Sequence, residues 1–420
     1  MIGGGGREHA LAWKLAQSSH IDDLHAAPGN PGIAAHAELH DVPVSDIGGL
    51  VELADRLKPG VVIVGPENPL AAGIADELAE HGIRTFGPNK SGARIESSKL
   101  HAKRLMAKAG IPTAAAKAFT DIDEASEYIQ QRGFNKPMVI KADGLAGGKG
   151  VTVARFVPEA IKALVENMQE KRFGAAGNTI LVEDYMEGEE LSILAFCDGK
   201  TVLPLPAAQD YKRAFDRNKG ANTGGMGSYS PVPACTDEVF EEAVETIVKP
   251  CAEQLERDGE RYVGMIYAGL MITENGLRVV EFNCRFGDPE TQAILPRLQS
   301  DLGELILAST EKSLPGMKVE VSDRACVSVV AASKGYPDEE PVKTGFPIEG
   351  VEAAEEMADV FVFHAGTKSD GGRVVTSGGR VLAVSALGET IASARERAYE
   401  AMDAIEFEGM RFLSDIAKGK

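Results

Sequence analysis

Residues 278–290 read Arg-Val-Val-Glu281-Phe-Asn283-Cys-Arg285-Phe-Gly-Asp288-Pro-Glu290. An apolar run ends here in three polar side chains at alternate positions, and side chains two apart on a strand share a face. We therefore expect Glu281, Asn283 and Arg285 to point into one cavity. Carboxylate and carboxamide oxygens suit Mg²⁺, which is often shared with substrate phosphates, and a guanidinium binds anions in a fork. The pattern predicts the floor of an ATP-using site, although a single strand of this kind more commonly turns its polar face to solvent.

A second segment, residues 138–153, strengthens this interpretation. Two β-branched strands flank a loop that contains four glycines, among them Gly147 and Gly148, and Lys149, while Lys141 ends the first strand. Glycines let backbone N–H groups approach phosphate oxygens, and lysines supply positive charge. The loop is not of the Walker A type, because Asp143 stands where that motif requires glycine. A bare hairpin would explain the glycines but not the two lysines, so the segment predicts a phosphate-binding loop.

A third segment, residues 180–192, is a strand that ends in an acidic turn, with a second strand expected to follow. Glu183 could accept a hydrogen bond from an adenine amino group, and Glu190 could bind ribose hydroxyls. A solvated acidic turn is the alternative, and it is the more common case for any single glutamate.

These three segments, in this order, resemble the ATP-grasp superfamily. Within it, residues 4–11, 222–227 and 281–292 are similar to the phosphoribosylamine–glycine ligase family. The resemblance runs along essentially the whole chain, through residues 140–150 to 363–367. It implies that ATP phosphorylates the carboxylate of glycine, and that the amine of 5-phosphoribosylamine then displaces phosphate to give glycinamide ribonucleotide in purine biosynthesis.

The resemblance also implies roles for individual residues. Mg²⁺ or Mn²⁺ would bind Glu281 and Asn283, with ATP as co-substrate, and Arg285, Lys141 and Lys149 would act in catalysis. The ATP site would comprise Lys103, Lys141, Gly147, Gly148, Lys149, Glu183 and Glu190, and the other substrates would contact Gly5, Gly6, Glu67, Asp210, Lys212, Gly225, Arg285 and Asp288.

Some of these assignments leave alternatives open. Asp210 and Arg213 could equally pair with each other. Many ATP-grasp enzymes carry a further acidic metal ligand on the strand before Glu281, but residues 267–273 contain none.

The predicted fold class is α/β. We expect an N-terminal parallel-sheet, Rossmann-like domain over residues 1–98, an ATP-grasp domain over 99–320 with a lid at about 118–190, and an α+β C-terminal domain over 321–420. In the first domain, strands at 61–67 and 83–88 should enclose an amphipathic helix at 70–81, and ligands should bind at the carboxyl ends of the strands.

The glycine run at residues 3–6 predicts a backbone nest at a helix start, suited to the ribosyl phosphate of the amine substrate. It fails the dinucleotide-binding pattern G-x-G-x-x-G, because Glu8 or His9 falls at the last position. Only Met1 and Ile2 precede the run, whereas the family begins with a full strand. Loss of central-strand pairing would be expected to lower stability and weaken substrate binding.

Composition adds limits on function and partners. A formal net charge of −19 argues against a nucleic-acid partner. The 5 cysteines contain no CxxC pair, as is typical of proteins of a reducing cytosol, and no segment indicates a signal peptide or membrane span. We expect a cytoplasmic monomer that binds small molecules. Two rival functions stay open: a different ATP-grasp carboxylate ligase, such as a carboxylating enzyme, and a non-catalytic nucleotide-binding protein.

Overall fold

The computed structural model describes residues 1–260, 262–338 and 341–420. Its helices and strands form a parallel N-terminal layer, two antiparallel sheets of four strands and an antiparallel sheet of five strands. The mixed α/β architecture predicted from the sequence is confirmed. None of the helices within the described ranges is both long and apolar enough to cross a membrane.

The N-terminal layer is parallel, as expected. Strands β1, β2 and β3 pair in the order β1-β2-β3, strands β4 and β5 pair with each other, and a bridge between Ile2 and Val64 joins the two sets. β1 is only two residues long, yet it keeps its pairing on both sides. The helix predicted at 70–81 is two helices, because Gly73 adopts a φ of +104° between them. The elements are β1 (Ile2–Gly3), α1 (Gly6–Leu15), β2 (His25–Pro28), β3 (Glu38–Leu39), α2 (Ile47–Leu57), β4 (Val62–Ile63), α3 (Glu67–Ala72), α4 (Ile74–Glu80), β5 (Thr85–Phe86) and α5 (Arg94–Ser97).

The lid sheet is antiparallel, in the order β6-β9-β7-β8, and two helices cover it. Its own apolar core includes Phe119, Ile129, Ile140 and Leu164, all buried. The two strands predicted around the glycine loop are β7 and β8, which pair with each other. The elements are α6 (Lys99–Ala109), β6 (Ala116–Phe119), α7 (Ile122–Arg132), β7 (Met138–Ala142), β8 (Val151–Ala154), α8 (Val157–Leu164) and β9 (Ile180–Asp184).

The central sheet has the order β11-β10-β16-β17, and its last strand contains Glu281 and Asn283. The register between β16 and β17 shifts next to Gly269, where a bulge leaves Val280 outside the ladder. The elements of this region are β10 (Glu189–Cys197), β11 (Val202–Pro204), β12 (Gln209–Asp210), β13 (Arg213–Phe215), β14 (Lys219–Asn222), β15 (Gly227–Ser230), α9 (Asp237–Ala243), α10 (Lys249–Arg257), β16 (Gly264–Thr273), β17 (Gly276–Asn283), α11 (Glu290–Ile294) and α12 (Leu302–Glu311).

The C-terminal sheet has the order β12-β15-β18-β22-β19, so it combines strands from both sides of residue 320. Its strand β18 is buried along its whole length, and α14 packs on β18 and β22. The remaining elements are β18 (Ala325–Ala332), α13 (Val351–Glu355), β19 (Val360–His364), β20 (Thr367–Asp370), β21 (Arg373–Thr376), β22 (Arg380–Gly388) and α14 (Ile391–Asp403). This arrangement places residues 209–230 beside the end of β17.

Candidate active site

A cavity of about 1950 Å³ is lined by residues of the lid sheet, the central sheet and the C-terminal region. Thirteen Lys or Arg and twelve Asp or Glu residues line it, whereas the whole chain has 44 Lys or Arg and 63 Asp or Glu. The cavity is therefore richer in positive charge than the chain as a whole. Three of the predicted site residues, Gly5, Gly6 and Gly225, are outside this lining. The predicted residues that line the cavity are Glu67, Lys103, Lys141, Gly147, Gly148, Lys149, Glu183, Glu190, Asp210, Lys212, Glu281, Asn283, Arg285 and Asp288.

Glu281 and Asn283, alternate positions of β17, point into the same cavity, and Arg285, two residues beyond the end of the strand, also lines it. Burial would raise the pKa of Glu281, but the positive charges of Lys212 and Lys141, with that of Lys99, lower it below its ordinary value. Glu281 is therefore a carboxylate at neutral pH. A carboxylate and a carboxamide at this edge form an oxygen donor set that fits a hard divalent cation.

Glu183 lies between two lysines and is 2% exposed. Its Oε2 is 3.0 Å from Nζ of Lys141, and its Oε1 is 3.3 Å from Nζ of Lys103. Lys141 also donates to the carbonyl of Val280, the bulged residue of β17, at 3.1 Å.

The loop between β7 and β8 is fixed at its start to the first turn of helix α6. Asp143 accepts hydrogen bonds from Ser98 and from the backbone of Leu100, and Lys99 Nζ donates to the carbonyl of Gly144 at 2.9 Å. Gly147 and Gly148 have φ values of +56° and +76°, a backbone region that favours glycine. The tip of the loop therefore needs the glycines found in the sequence.

Arg285 is held by two carboxylates. Its Nε is 3.2 Å from Oε2 of Glu67, and its Nη2 is 2.9 Å from Oε1 of Glu96. Burial raises the pKa of Glu96, whereas for Glu67 the guanidinium charges of Arg285 and Arg7 outweigh burial and lower the pKa. The sequence analysis assigned Arg285 to a substrate anion and did not anticipate these partners.

Lys212 joins two acidic residues. Its Nζ is 3.3 Å from Oε2 of Glu190 and 3.7 Å from Oδ1 of Asp210. Burial raises the pKa of Asp210 well above its ordinary value despite the nearby ammonium. The alternative pairing of Asp210 with Arg213 is wrong, because Arg213 instead donates to the carbonyl of Gly220 at 3.0 Å.

The glycine run leads into helix α1, and the side chain of Glu8 in the first turn caps the start of that helix. The backbone N–H of Gly5 donates to Oε2 of Glu8 at 2.6 Å, so this part of the predicted phosphate nest has a carboxylate as its acceptor. A Cβ at Gly6 would lie 2.8 Å from Nε2 of Gln292, and one at Gly225 would clash with Pro289. These glycines permit close packing around the turn that carries Asp288.

Several residues that the sequence analysis did not assign also line the cavity. Arg380, on β22, grips Asp288 in a bidentate pair with both N···O distances 3.1 Å. Oε1 of Glu290 accepts a hydrogen bond from the Tyr267 hydroxyl at 2.8 Å. Glu290 lay inside the quoted segment and could have been found, but Arg380 is 92 residues from Asp288 in sequence and had no local signal.

Comparisons with known proteins cover the whole molecule. The phosphoribosylglycinamide synthetase N domain, ATP-grasp (A) domain and C domain match residues 1–96, 97–291 and 326–419. Phosphoribosylamine–glycine ligase of Caldanaerobacter subterraneus subsp. tengcongensis is 47% identical over 100% of this chain and 99% of its own.

Two solved structures extend the comparison. The crystal structure of phosphoribosylamine–glycine ligase from Thermotoga maritima has a TM-score of 0.83, with 33% identity over 99% of this chain and 98% of its own. The biotin carboxylase domain of Hydrogenobacter thermophilus 2-oxoglutarate carboxylase has a TM-score of 0.73 at 18% identity, covering 98% of this chain and 90% of its own. The second likeness is one of fold alone.

Replacing Arg380 with glutamine should destabilise the protein most at neutral pH. Burial would raise the pKa of Asp288, but Arg380 holds it below its ordinary value. In the wild type this carboxylate therefore stabilises the fold above its unfolded pKa, and the contribution is lost as pH falls through the folded pKa. Without Arg380 a largely buried carboxylate has lost its main partner, at a cost of about 3 kcal/mol.

Urea unfolding of the wild type and Arg380→Gln at pH 7 and pH 5 would measure this cost. The deficit should shrink at pH 5, where protonation of Asp288 becomes easier in the variant. The double variant Arg380→Gln/Asp288→Asn should recover part of the stability at pH 7. A deficit that is independent of pH and is not recovered would contradict the ion-pair explanation.

Proposed function

The chain belongs to the phosphoribosylglycinamide synthetase family. On this premise we propose which of its residues bind each substrate and which act in catalysis. The protein is an ATP-dependent ligase that joins glycine to 5-phosphoribosylamine, forming glycinamide ribonucleotide in purine biosynthesis. The observation that carries this conclusion is the 47% identity, over the whole chain, with the phosphoribosylamine–glycine ligase of Caldanaerobacter subterraneus subsp. tengcongensis. The same identity, to an enzyme named phosphoribosylamine–glycine ligase, argues against both rival functions.

The proposed ATP site lies between the lid sheet and the central sheet. Lys103, Lys141 and Lys149 contact phosphates, and Gly147 and Gly148 let the loop approach them. Glu183 accepts from the adenine amino group, in exchange for one of its two contacts with Lys103 and Lys141. Glu190 binds the ribose, in exchange for its contact with Lys212.

Glu281 and Asn283 are the proposed ligands of Mg²⁺ or Mn²⁺. When bound, the ion would neutralise charge on the phosphoryl group in transfer. Within the chain itself, Lys141 and Lys212 keep Glu281 in its anionic form, which is the form a cation needs.

Arg285 is the proposed partner of the glycine carboxylate and of the acyl phosphate formed from it. Glu67 and Glu96 fix the plane of its guanidinium, and preorganised charge costs no rearrangement during reaction. The amine of 5-phosphoribosylamine then attacks the acyl carbon, the C–N bond forms, phosphate leaves and the nitrogen loses a proton. The other proposed substrate contacts are Gly5, Gly6, Glu67, Asp210, Lys212, Gly225 and Asp288.

Three further assignments are proposals of the same kind. The domains span residues 1–98, 99–320 with a lid at about 118–190, and 321–420. The protein is a monomer, and it acts in the cytoplasm. Analytical ultracentrifugation tests the oligomeric state, and cell fractionation tests the compartment.

The test of function is ADP release in the presence of ATP, Mg²⁺, glycine and freshly generated 5-phosphoribosylamine, each omitted in turn. Turnover should require all four and should yield glycinamide ribonucleotide by mass spectrometry. Release of ADP that depends on bicarbonate rather than glycine would instead support a carboxylating enzyme.

Replacing Glu281 with glutamine should lower kcat by about 100-fold or more, because the variant loses a negative metal ligand that supports phosphoryl transfer. The fold should survive, as measured by circular dichroism. Glu274→Gln, on the exposed turn between β16 and β17, is the matched control and should keep wild-type activity. Near-normal turnover of Glu281→Gln would remove Glu281 from the metal site.

Replacing Arg285 with lysine should raise the KM for glycine roughly tenfold or more while changing the KM for ATP little, because an ammonium cannot replace two charge-assisted hydrogen bonds. Arg278→Lys makes the same change on β17, the strand that precedes Arg285, and lies outside the cavity lining. Steady-state kinetics with each substrate varied would measure both constants. Equal increases for glycine and ATP would contradict the assigned role.

A further inference from the structure

Two histidines and a glutamate meet at the edge of the N-terminal layer, outside the lining of the ATP cavity. The parallel register pairs His25 of β2 with Glu38 of β3. The backbone N–H of His40 donates to the carbonyl of Ala26 at 2.9 Å, so the ladder continues one residue beyond β3. Residues 38 and 40 alternate along one strand and therefore share a face.

The side-chain donor atoms converge on one point. Nδ1 of His25 is 3.1 Å from Nε2 of His40, and the two oxygens of Glu38 are 3.6 Å and 3.9 Å from these respective nitrogens. A tetrahedral ion with bonds of about 2.0–2.2 Å would hold its donor atoms roughly 3.4 Å apart. The observed distances bracket this value, so one ion can reach all three groups with small side-chain movements.

The chemistry of the three donors selects the class of ion. Imidazole nitrogen suits Zn²⁺, Co²⁺, Ni²⁺ and Cu²⁺, whereas Mg²⁺ prefers oxygen ligands. We propose that His25, Glu38 and His40 bind one divalent transition-metal ion of the Zn²⁺ class. The His40 side chain is 15% exposed and the Glu38 side chain 68% exposed, so solvent supplies the remaining coordination position.

A simple hydrogen bond between His25 and His40 is the alternative, with Glu38 as a solvated neighbour. A histidine with a single carboxylate neighbour occurs elsewhere on the surface, where Nδ1 of His81 is 2.6 Å from Oδ2 of Asp55. In the described ranges, no other set of three His, Cys, Asp or Glu side chains brings its donor atoms within the same distance. The second imidazole is what distinguishes this cluster from an ordinary ion pair.

The position of the cluster gives the ion a structural role. Residues 29–37 connect β2 to β3, and the three donors lie on either side of this connection, His25 at the start of β2 and Glu38 and His40 at the start and just beyond the end of β3. Within it, Asn30 donates to the carbonyls of Gly4 and His364, which joins the glycine run to the C-terminal sheet. An ion that links β2 to β3 would close the chain between His25 and Glu38 into a loop, and by binding only the folded chain it would stabilise it.

The experiment uses the full-length protein, stripped of metal by a chelator and returned to buffer with excess Mg²⁺, which occupies the oxygen-rich site. Titration with Co²⁺, followed by its visible absorption, should show one equivalent bound, and Zn²⁺ should displace it. His40→Ala should weaken Co²⁺ binding by at least about tenfold, since loss of outer-shell partners alone typically costs that much. Zn²⁺ should raise the melting temperature of the wild type but not that of His40→Ala.

His81→Ala is the matched control: it removes an exposed imidazole from a His–carboxylate pair and should leave Co²⁺ affinity unchanged. Ligase activity without added transition metal should be the same in His40→Ala as in the wild type, which verifies the fold. Absence of Co²⁺ and Zn²⁺ binding, or equal affinity in the wild type and His40→Ala, would overturn the proposal. If His40→Ala does not fold, Glu38→Gln at its exposed position replaces it, and wild-type affinity there would overturn the three-residue site.

Discussion

The pairing of buried Glu183 with Lys103 and Lys141 is the interaction on which the cleft depends. A carboxylate that is 2% exposed is costly unless cations compensate it. Its partners come from helix α6 and strand β7, and Lys141 continues to the bulged carbonyl of β17. Compensation of one buried charge therefore fixes the lid sheet, α6 and the central sheet relative to one another.

The same rule connects the terminal regions to the turn after β17. Arg285 needs Glu67 and Glu96, which belong to the N-terminal layer. Asp288 needs Arg380, which begins a strand of the C-terminal sheet. The charges of Arg285 and Asp288 are compensated by partners from distant parts of the chain. The same contacts therefore hold the site together and fix how the N-terminal and C-terminal regions pack against it.

The sequence was most informative where local pattern and chemistry coincide. Alternation along β17 correctly placed Glu281 and Asn283 in one cavity, and the glycines of residues 144–150 correctly predicted a loop between paired strands. What it could not supply were partners brought together by folding. No local feature distinguishes Arg380 from a surface arginine, and nothing in the periodicity of residues 70–81 revealed that Gly73 would end one helix and begin another. The ion pairs of Arg285 were missed for the same reason, since Glu67 and Glu96 lie about two hundred residues away.

A chain of net charge −19 can bind a polyanionic nucleotide because local charge, rather than total charge, decides affinity. Cations and carboxylates are nearly balanced in number around the cavity, and many of the lysines already contact a carboxylate. A lysine in such a pair has lost most of its hydration when the protein folds. When a nucleotide binds, its phosphate takes the place of the carboxylate beside the lysine. The free-energy cost of dehydrating the lysine has then been met during folding and does not weaken binding. The carboxylates around the cavity repel a nucleotide, but they also hold the lysines and arginines in the positions from which these bind it.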